Sequence, residues 1–221
     1  MLAGRRLLAD RTGALFSPDT GTLVVADLHL EKASAFAAKG WLLPPYDTRE
    51  TLSRLADAIA AYAPHTVIAL GDSLHDPDGA GRIDDEDLER LGALQAGRRW
   101  VWVTGNHDPE IAGTLGGEVR ESETLAGIRL VHAPMAGGAY ALIAGHLHPA
   151  ARLAVRGTSI RRPCFASDAT RLILPAFGAF TGGLNVLDPA IAGLLVPSRL
   201  QVLMLGEASA YPVPVNRLIP D

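Results

Sequence analysis

The chain has 221 residues, of which 48% are hydrophobic and 20% are charged, and its net charge is -4. This balance excludes a disordered or fibrous chain, and the length is enough for a globular domain that buries roughly 70% of its unfolded surface. The acidic net charge also argues against a nucleic-acid binder that relies on a basic surface overall.

The first two-thirds of the chain predicts strands and helices in alternation. Buried strands are expected at residues 23–26, 66–70 and 100–103. A helix is expected to begin at Asp47 as its N-cap, and a second one spans 84–96, with acidic residues in its first turn, where the helix dipole favours them. This alternation is typical of a parallel sheet covered by helices.

The last third has a different pattern, because short apolar runs follow one another with Gly and Pro between them. The runs cover residues 128–131, 140–144, 152–155, 172–174 and 202–205. They predict a second, more antiparallel sheet. We therefore expect an α/β fold: a two-sheet β-sandwich flanked by α-helices.

The sequence also carries signals of domain number and cellular compartment. A single cysteine, Cys164, cannot form an internal disulfide, which fits a reducing compartment. Asp10 and Arg11 interrupt the N-terminal apolar stretch, and no window reaches the roughly 18 apolar residues of a membrane helix. We expect one cytoplasmic domain over residues 1–221, with no capping domain and no membrane association.

Charge is distributed unevenly along the chain. Residues 151–171 contain five arginines and one acid, whereas residues 76–90 contain seven acids and two arginines. Such asymmetry can mark a binding face, and two separate solvated surfaces explain it equally well.

Six of the seven histidines follow the ends of predicted strands, beside Asp, Asn or Gly. The segments are Asp27-x-His29, Gly71-Asp72-x-x-His75, Gly105-Asn106-His107-Asp108, His132 and Gly145-His146-x-His148. Carboxyl ends of strands meet in one crevice, and glycines let the backbone approach a ligand closely. Imidazoles with carboxylate and amide oxygens suit Mn, Fe or Zn.

These five segments, in this order, resemble the motifs of the calcineurin-like metallophosphoesterases. The resemblance implies two divalent metal ions, with Mn²⁺ favoured over Fe or Zn, and a metal-bridging hydroxide that attacks phosphorus in line. The implied ligands are Asp27, His29 and His148 for one ion, Asn106, His132 and His146 for the other, and Asp72 for both. His107 would neutralise phosphoryl oxygens or protonate the leaving oxygen, and Asp108 would orient it.

A narrower resemblance covers nearly the whole chain. Six stretches are similar to the bacterial ligase-associated DNA damage response endonucleases: ADLHLEK (26–32), LPPYDT (43–48), GNHDP (105–109), GHLHPA (145–150), RRPCF (161–165) and LPAFGAFTGGLNV (174–186). Members of that family are encoded near a DNA ligase and a helicase and are regarded as manganese-dependent nucleases. The resemblance implies a DNA endonuclease of repair, with a ligase, a helicase or a second copy of the chain as partners.

Several residues bear on the substrate. Protein phosphatases of the superfamily carry a phosphate-gripping arginine just after the position of His75, so His75 favours a phosphodiester; the alternative is that His75 only packs or supports a ligand. Asn106, Arg161 and Arg162 are expected to contact phosphate, although both arginines could instead form salt bridges to the acidic helix. Trp41 is expected near the site, because its loop follows the first metal motif.

Two other functions compete with the nuclease. A phosphatase or nucleotide hydrolase for a small phosphorylated molecule agrees better with the acidic net charge and small size. A non-catalytic scaffold on the same fold would be expected to have lost ligands, but all seven ligand positions and His107 are intact.

Overall fold

The computed structural model describes residues 1–108, 115–137 and 140–221. Within them, the helices are α1 (Lys32–Ala37), α2 (Asp47–Tyr62), α3 (Asp85–Gln95) and α4 (Pro189–Ala192). The strands of the first half are β1 (Leu8–Ala9), β2 (Leu15–Ser17), β3 (Thr22–Ala26), β4 (Thr66–Leu70), β5 (Arg99–Val103) and β6 (Glu118–Arg120). The strands of the second half are β7 (Glu123–Leu125), β8 (Ile128–Val131), β9 (Leu142–Ala144), β10 (Ala150–Val155), β11 (Thr158–Ser167), β12 (Arg171–Ile173), β13 (Gln201–Leu205) and β14 (Ala210–Val213).

The strands form two sheets. The first has the order β1-β2-β3-β4-β5-β6, and β3 to β6 run parallel. The second has the order β14-β13-β11-β12-β9-β8-β7, with β10 paired to β11, and it is antiparallel except for the β12–β9 and β9–β8 pairs. The predicted α/β architecture of two sheets and flanking helices is confirmed.

Alternation along the strands explains how the layers stack. In β3, Leu23 and Val25 pack towards α2 and α3, whereas Val24 and Ala26 face the second sheet. Phe165 of β11 fills the space between the two sheets. Cys164, next to it, is buried on the outer face of the second sheet, which α4 covers. The layers therefore run from helices through two sheets to α4.

Two details of the secondary structure differ from the sequence prediction. Asp47 is the first residue of α2 rather than its N-cap, which is Tyr46; the buried Asp47 carboxylate accepts a hydrogen bond from Ala33 N–H at 3.1 Å instead. The longest strand, β11, is not predicted, because the first six of its ten residues are exposed and carry no apolar alternation. The tight turn at Arg156 and Gly157, both with positive φ, joins it to β10.

In the part of the chain that the structure describes, no helix is long and apolar enough to cross a bilayer.

Candidate metal centre

Aligned strand ends bring the histidine motifs together. In the first sheet, Ala26 of β3 pairs with Leu70 of β4, which pairs with Val103 of β5, so the three strands end side by side. In the second sheet, the last residues of β8 and β9, Val131 and Ala144, pair in the same way. The loops that follow these five strands carry all of the predicted ligands, and they meet at one end of the sandwich.

The first cluster contains Asp27, His29 and His148, whose ligand atoms all lie within 4.8 Å of one another. His148 Nε2 lies 3.3 Å from Asp27 Oδ1. The Asp27 carboxylate is fully buried, and the backbone N–H of His146 donates to both of its oxygens, at 3.1 and 2.9 Å. A buried carboxylate is thereby held facing two imidazoles.

The second cluster contains Asp72, His132 and His146, again with ligand atoms within 4.8 Å. His132 Nε2 is its centre: it lies 3.0 Å from His146 Nδ1, 2.9 Å from Asn106 Oδ1 and 3.4 Å from Asp72 Oδ1. Asn106 therefore stands where the sequence predicts it, beside the second cluster.

Asp72 lies between the two clusters. Its Oδ1 is the atom near His132, whereas its Oδ2 is 4.0 Å from His29 Nε2 in the first cluster. The backbone N–H of His107 donates to Oδ1 at 2.9 Å and fixes the plane of the carboxylate. This placement gives Asp72 one oxygen for each cluster.

The donor atoms fit divalent transition-metal ions. His132 Nδ1 points at the Leu70 carbonyl oxygen, 3.1 Å away, so Nδ1 carries the proton and Nε2 presents a lone pair. The Nε2 lone pair lies close to Asn106 Oδ1, Asp72 Oδ1 and His146 Nδ1, all of which can act as electron-pair donors. A single proton cannot bridge this many donor atoms, whereas a metal cation can be coordinated by all of them. Among the described residues, only histidines form ion pairs with Asp27 and Asp72, so no Lys or Arg neutralises these buried carboxylates.

Backbone strain is concentrated at the same residues. Asp27, His29, Asp72, His146 and His148 all have positive φ, between 45° and 69°. Such conformations cost of order 1–3 kcal/mol each and persist where the surrounding structure imposes them. The strain turns successive side chains into the crevice.

Glycines make this close packing feasible. A Cβ at Gly105 would collide with Asp72, one at Gly145 would collide with the Asp27 carboxylate, and one at Gly71, which has a φ of +69°, would collide with the His132 ring. Each glycine therefore permits a close approach to a residue of the clusters.

Burial keeps the rings of His29 and His146 neutral, whereas the Asp27 carboxylate raises the pKa of His148 although burial opposes that shift. Burial, together with the nearby rings of His148, His107 and His75, lowers the pKa of His29 to about 2. Burial and the neighbouring His132 ring also lower the pKa of His146. Neutral imidazole is the form that binds a metal ion, so the rings of His29 and His146 are available as ligands at neutral pH.

His107 is oriented by a backbone carbonyl. Its Nδ1 lies 2.8 Å from the carbonyl oxygen of His75, so Nδ1 is the protonated nitrogen and Nε2 faces the clusters, 3.9 Å from Asp72 Oδ2. The rings of His107 and His75 stack with centroids 5.4 Å apart. The structure thus brings His107 and His75 to the rim of both clusters.

The expectation that Asp108 orients His107 is wrong. The Asp108 carboxylate is fully buried and accepts hydrogen bonds from four backbone N–H groups, those of Gly105, Asp72, Ser73 and Leu74. Burial raises the pKa of Asp108 to about 6 although these donors oppose the shift. Asp108 therefore supports the loop that carries Asp72. Its carboxylate is occupied by four backbone N–H donors, so it makes no hydrogen bond to the His107 ring.

The two arginines lie near the first cluster, but Arg161 is already engaged. Both line a cavity of about 140 Å³ together with His148. The Arg161 guanidinium donates to Asp221 at 2.9 and 3.2 Å and to the Gly183 carbonyl oxygen at 2.6 Å, so it pairs with the last residue of the sequence and not with the acidic helix. Among the described residues, Arg162 forms no ion pair, and it remains available to a ligand.

Similarity to known proteins agrees with this geometry. Residues 21–150, which include all five motifs, match the model of the calcineurin-like phosphoesterases. The chain belongs to the calcineurin-like phosphoesterase family. It is accordingly a metal-dependent phosphoesterase, and its two clusters fit the dinuclear centre of that family.

The likeness to the solved structure of a nuclease covers nearly the whole chain. The Pseudomonas putida nuclease MPE has a TM-score of 0.74 and 29% identity, over 96% of this chain and 97% of that one. The phosphoesterase Yfce of E. coli has a TM-score of 0.44 and 17% identity, over 88% of this chain and 99% of that one. No curated protein sequence is significantly similar to this chain.

Sequence reasoning misses the residues that border the clusters on the side of α1. Phe36 of α1 lies against the His75 ring, with centroids 5.6 Å apart, and Lys32 donates to the Phe180 carbonyl oxygen at 2.9 Å. A helix predicted directly after the first motif would have placed Lys32 and Phe36, which are four residues apart, on the same helix face.

Proposed function

We propose that this phosphoesterase is a dinuclear phosphodiesterase that cleaves DNA strands. The observation that carries the proposal is the position of Asp72, one oxygen towards each of two clusters, with His107 beside it. The similarity to the P. putida nuclease over 96% of the chain supports a nucleic-acid phosphodiester as the substrate.

The residues that would hold the metal ions are the seven predicted ligands. They are Asp27, His29 and His148 at one position, Asn106, His132 and His146 at the other, and Asp72 at both. Bound there, divalent ions supply Lewis acidity to the phosphoryl group and lower the pKa of water. Mn²⁺ suits this mixture of imidazole, carboxylate and amide donors, and Fe or Zn are the alternatives.

His107 has the geometry of a proton donor to the leaving oxygen. The His75 carbonyl holds its Nδ1–H, so a proton taken up at Nε2 faces the clusters and can pass to an oxygen of the substrate. In its protonated form the ring also neutralises charge that develops on phosphoryl oxygens. Asn106 Oδ1 lies 2.9 Å from His132 Nε2, and the N–H groups of the same amide would donate to a substrate oxygen.

The environment of His75 favours a diester over a monoester. Burial and the charges of Lys32 and His107 lower the pKa of His75, so the ring is neutral at pH 7. A neutral imidazole can donate one hydrogen bond to the singly charged diester, whereas a dianionic monoester is better matched by a guanidinium. Arg162, and Arg161 after release from Asp221, would contact phosphates next to the scissile one.

The biological setting follows from the resemblance to ligase-associated endonucleases. We propose a role in DNA repair in the cytoplasm, with a ligase, a helicase or a second copy of the chain as a partner. A partner would compensate for the net charge of -4, which weakens association with a polyanion. We also propose that residues 1–221 act as one metallophosphoesterase domain.

A phosphatase or nucleotide hydrolase for a small phosphorylated molecule is the second candidate. The acidic net charge favours it, because a small substrate needs no extended basic surface. In that case the cavity beside His148 and Arg162 would hold the rest of the molecule.

Hydrolysis of bis(p-nitrophenyl) phosphate and p-nitrophenyl phosphate separates the two candidates. With Mn²⁺ we expect cleavage of the diester at a kcat/KM at least tenfold above that of the monoester, and no cleavage with a chelator. His75→Ala should reduce diester cleavage, whereas His65→Ala, which alters the exposed histidine outside the motifs, should not. Preference for the monoester would favour the phosphatase.

A further inference from the structure

A row of aromatic rings leads from the clusters onto α1. The His107 ring stacks on His75, with centroids 5.4 Å apart and an interplanar angle of 25°. The His75 ring in turn faces Phe36, at 5.6 Å and 37°. Phe36 is half-buried, so the row begins beside the two clusters and ends near the surface.

Trp41 lies in the loop that follows α1, beside Phe36 in the backbone. Its backbone N–H donates to the Phe36 carbonyl oxygen at 3.0 Å, which holds the backbone of Trp41 against the last turn of α1. The Trp41 residue is 71% exposed, whereas Trp100 and Trp102 are buried in the core. The next residue, Leu42, is 90% exposed, so these two apolar side chains contribute little to the core and form an apolar surface patch.

Positive charge borders the same surface. Lys32 and Lys39 flank Phe36 in sequence: Lys32 lies one helical turn before it, and the backbone N–H of Lys39 donates to the Phe36 carbonyl oxygen at 2.9 Å. In the portion of the chain that the structure describes, Lys39 has no ion-pair partner, and Lys32 bonds a backbone carbonyl. Two cations beside an exposed indole and a half-buried phenyl ring match the chemistry of a nucleotide, which has an anionic phosphate and a flat base.

We propose that Phe36 and Trp41, flanked by Lys32 and Lys39, form a subsite that stacks an unpaired base of the strand next to the scissile phosphate. The proposal rests on the proposed nuclease function and adds a substrate requirement to it. A base in a duplex has both faces covered by its neighbours, so only an unpaired or flipped base can reach the rings. The lysines would take the flanking phosphates.

Tryptophan fluorescence tests the subsite without any turnover. The full-length, metal-free protein is titrated with a thymidine decanucleotide and with an abasic strand of the same length. Stacking should quench the exposed Trp41, and the abasic strand should bind more weakly and quench little. Trp41→Phe should bind the decanucleotide with nearly the same affinity but without quenching, since the two other tryptophans are buried.

Substitutions separate stacking from a structural effect. Trp41→Ala should weaken binding of the decanucleotide about 5- to 150-fold, the range for loss of one stacked base. Tyr211→Ala, which removes an exposed aromatic on β14, should not weaken it. With Mn²⁺, Trp41→Ala should lower kcat/KM for single-stranded DNA by a similar factor and leave cleavage of bis(p-nitrophenyl) phosphate within twofold of the parent.

Three results would overturn the subsite. These are equal quenching by the abasic strand, unchanged binding of DNA to Trp41→Ala, and a change only in oligomeric state by sedimentation, which would make the surface a contact between copies. Failure of the parent protein to cleave any diester would instead contradict the proposed function, while base-dependent quenching would still support the subsite.

Discussion

Removing the Asp108 carboxylate should destabilise the protein rather than impair one chemical step. The carboxylate accepts hydrogen bonds from four backbone N–H groups, at 2.6 to 3.1 Å, and the residue is fully buried. A buried N–H without an acceptor costs about 1–3 kcal/mol, and water entering the space left by Asp108→Ala would offset part of this cost. At about 1 kcal/mol for each group, the loss is about 4 kcal/mol.

Thermal unfolding and metal content measure this effect. For a chain of this size, about 4 kcal/mol lowers the Tm by about 8–16 °C. Two of the four donors belong to Asp72 and Ser73, so Mn²⁺ affinity should also fall, by about 10- to 100-fold. Asp57→Ala, which alters an exposed acid of α2, should change stability by no more than about 0.5 kcal/mol.

A different pattern would refute the reasoning. If Asp108→Ala kept the parental Tm and Mn²⁺ content but lost turnover as strongly as His107→Ala, then Asp108 would act on His107 after all. The role inferred from sequence would be restored, and the backbone hydrogen bonds would have little energetic weight.

Three more outcomes are expected. His107→Ala should keep its bound Mn²⁺ but lose about 10²–10⁴-fold in turnover, and a metal-free variant, by elemental analysis, would contradict this role. Asp72→Ala should lose both metal ions together, so retention of two equivalents would exclude a shared ligand. The third concerns acid stability: burial opposes the shift, but hydrogen bonds from Thr170 and backbone N–H groups lower the pKa of buried Asp168 to about 2. Because the folded-state pKa is lower than the unfolded value of about 3.9, this carboxylate contributes about 2–3 kcal/mol above pH 4, which is lost as the pH falls towards 2. In denaturant unfolding, the parent should lose this stability as the pH falls from about 4 to about 2, whereas Asp168→Asn should not. Equal acid dependence of the two proteins would contradict this role of Asp168.

The metal centre could be located from sequence because its residues follow strands with clear hydrophobic patterns. Runs such as Thr66–Leu70 identify buried strands, and parallel strands present their carboxyl ends at one edge, so Asp72 and its neighbours had to meet there. The glycines before Asp72, Asn106 and His146 were also informative, since the structure shows that a side chain at each would collide with the site.

Hydrogen bonds and surface contacts were less accessible to sequence. Asp108 follows His107 directly, which suggested a side-chain pair, but buried backbone N–H groups two loops away compete for its carboxylate. Likewise, the partner of Arg161 is Asp221, sixty residues along the chain, and no local pattern indicates that pairing. Such contacts depend on the assembled fold, not on spacing.

Stoichiometric addition of Mn²⁺ to the metal-free protein tests the central claim most directly, with bound metal and diester hydrolysis measured in the same samples. The two clusters joined by Asp72 predict two bound equivalents and a rate that rises fully only with the second one. Full activity with one equivalent, or with none, would contradict a dinuclear phosphodiesterase.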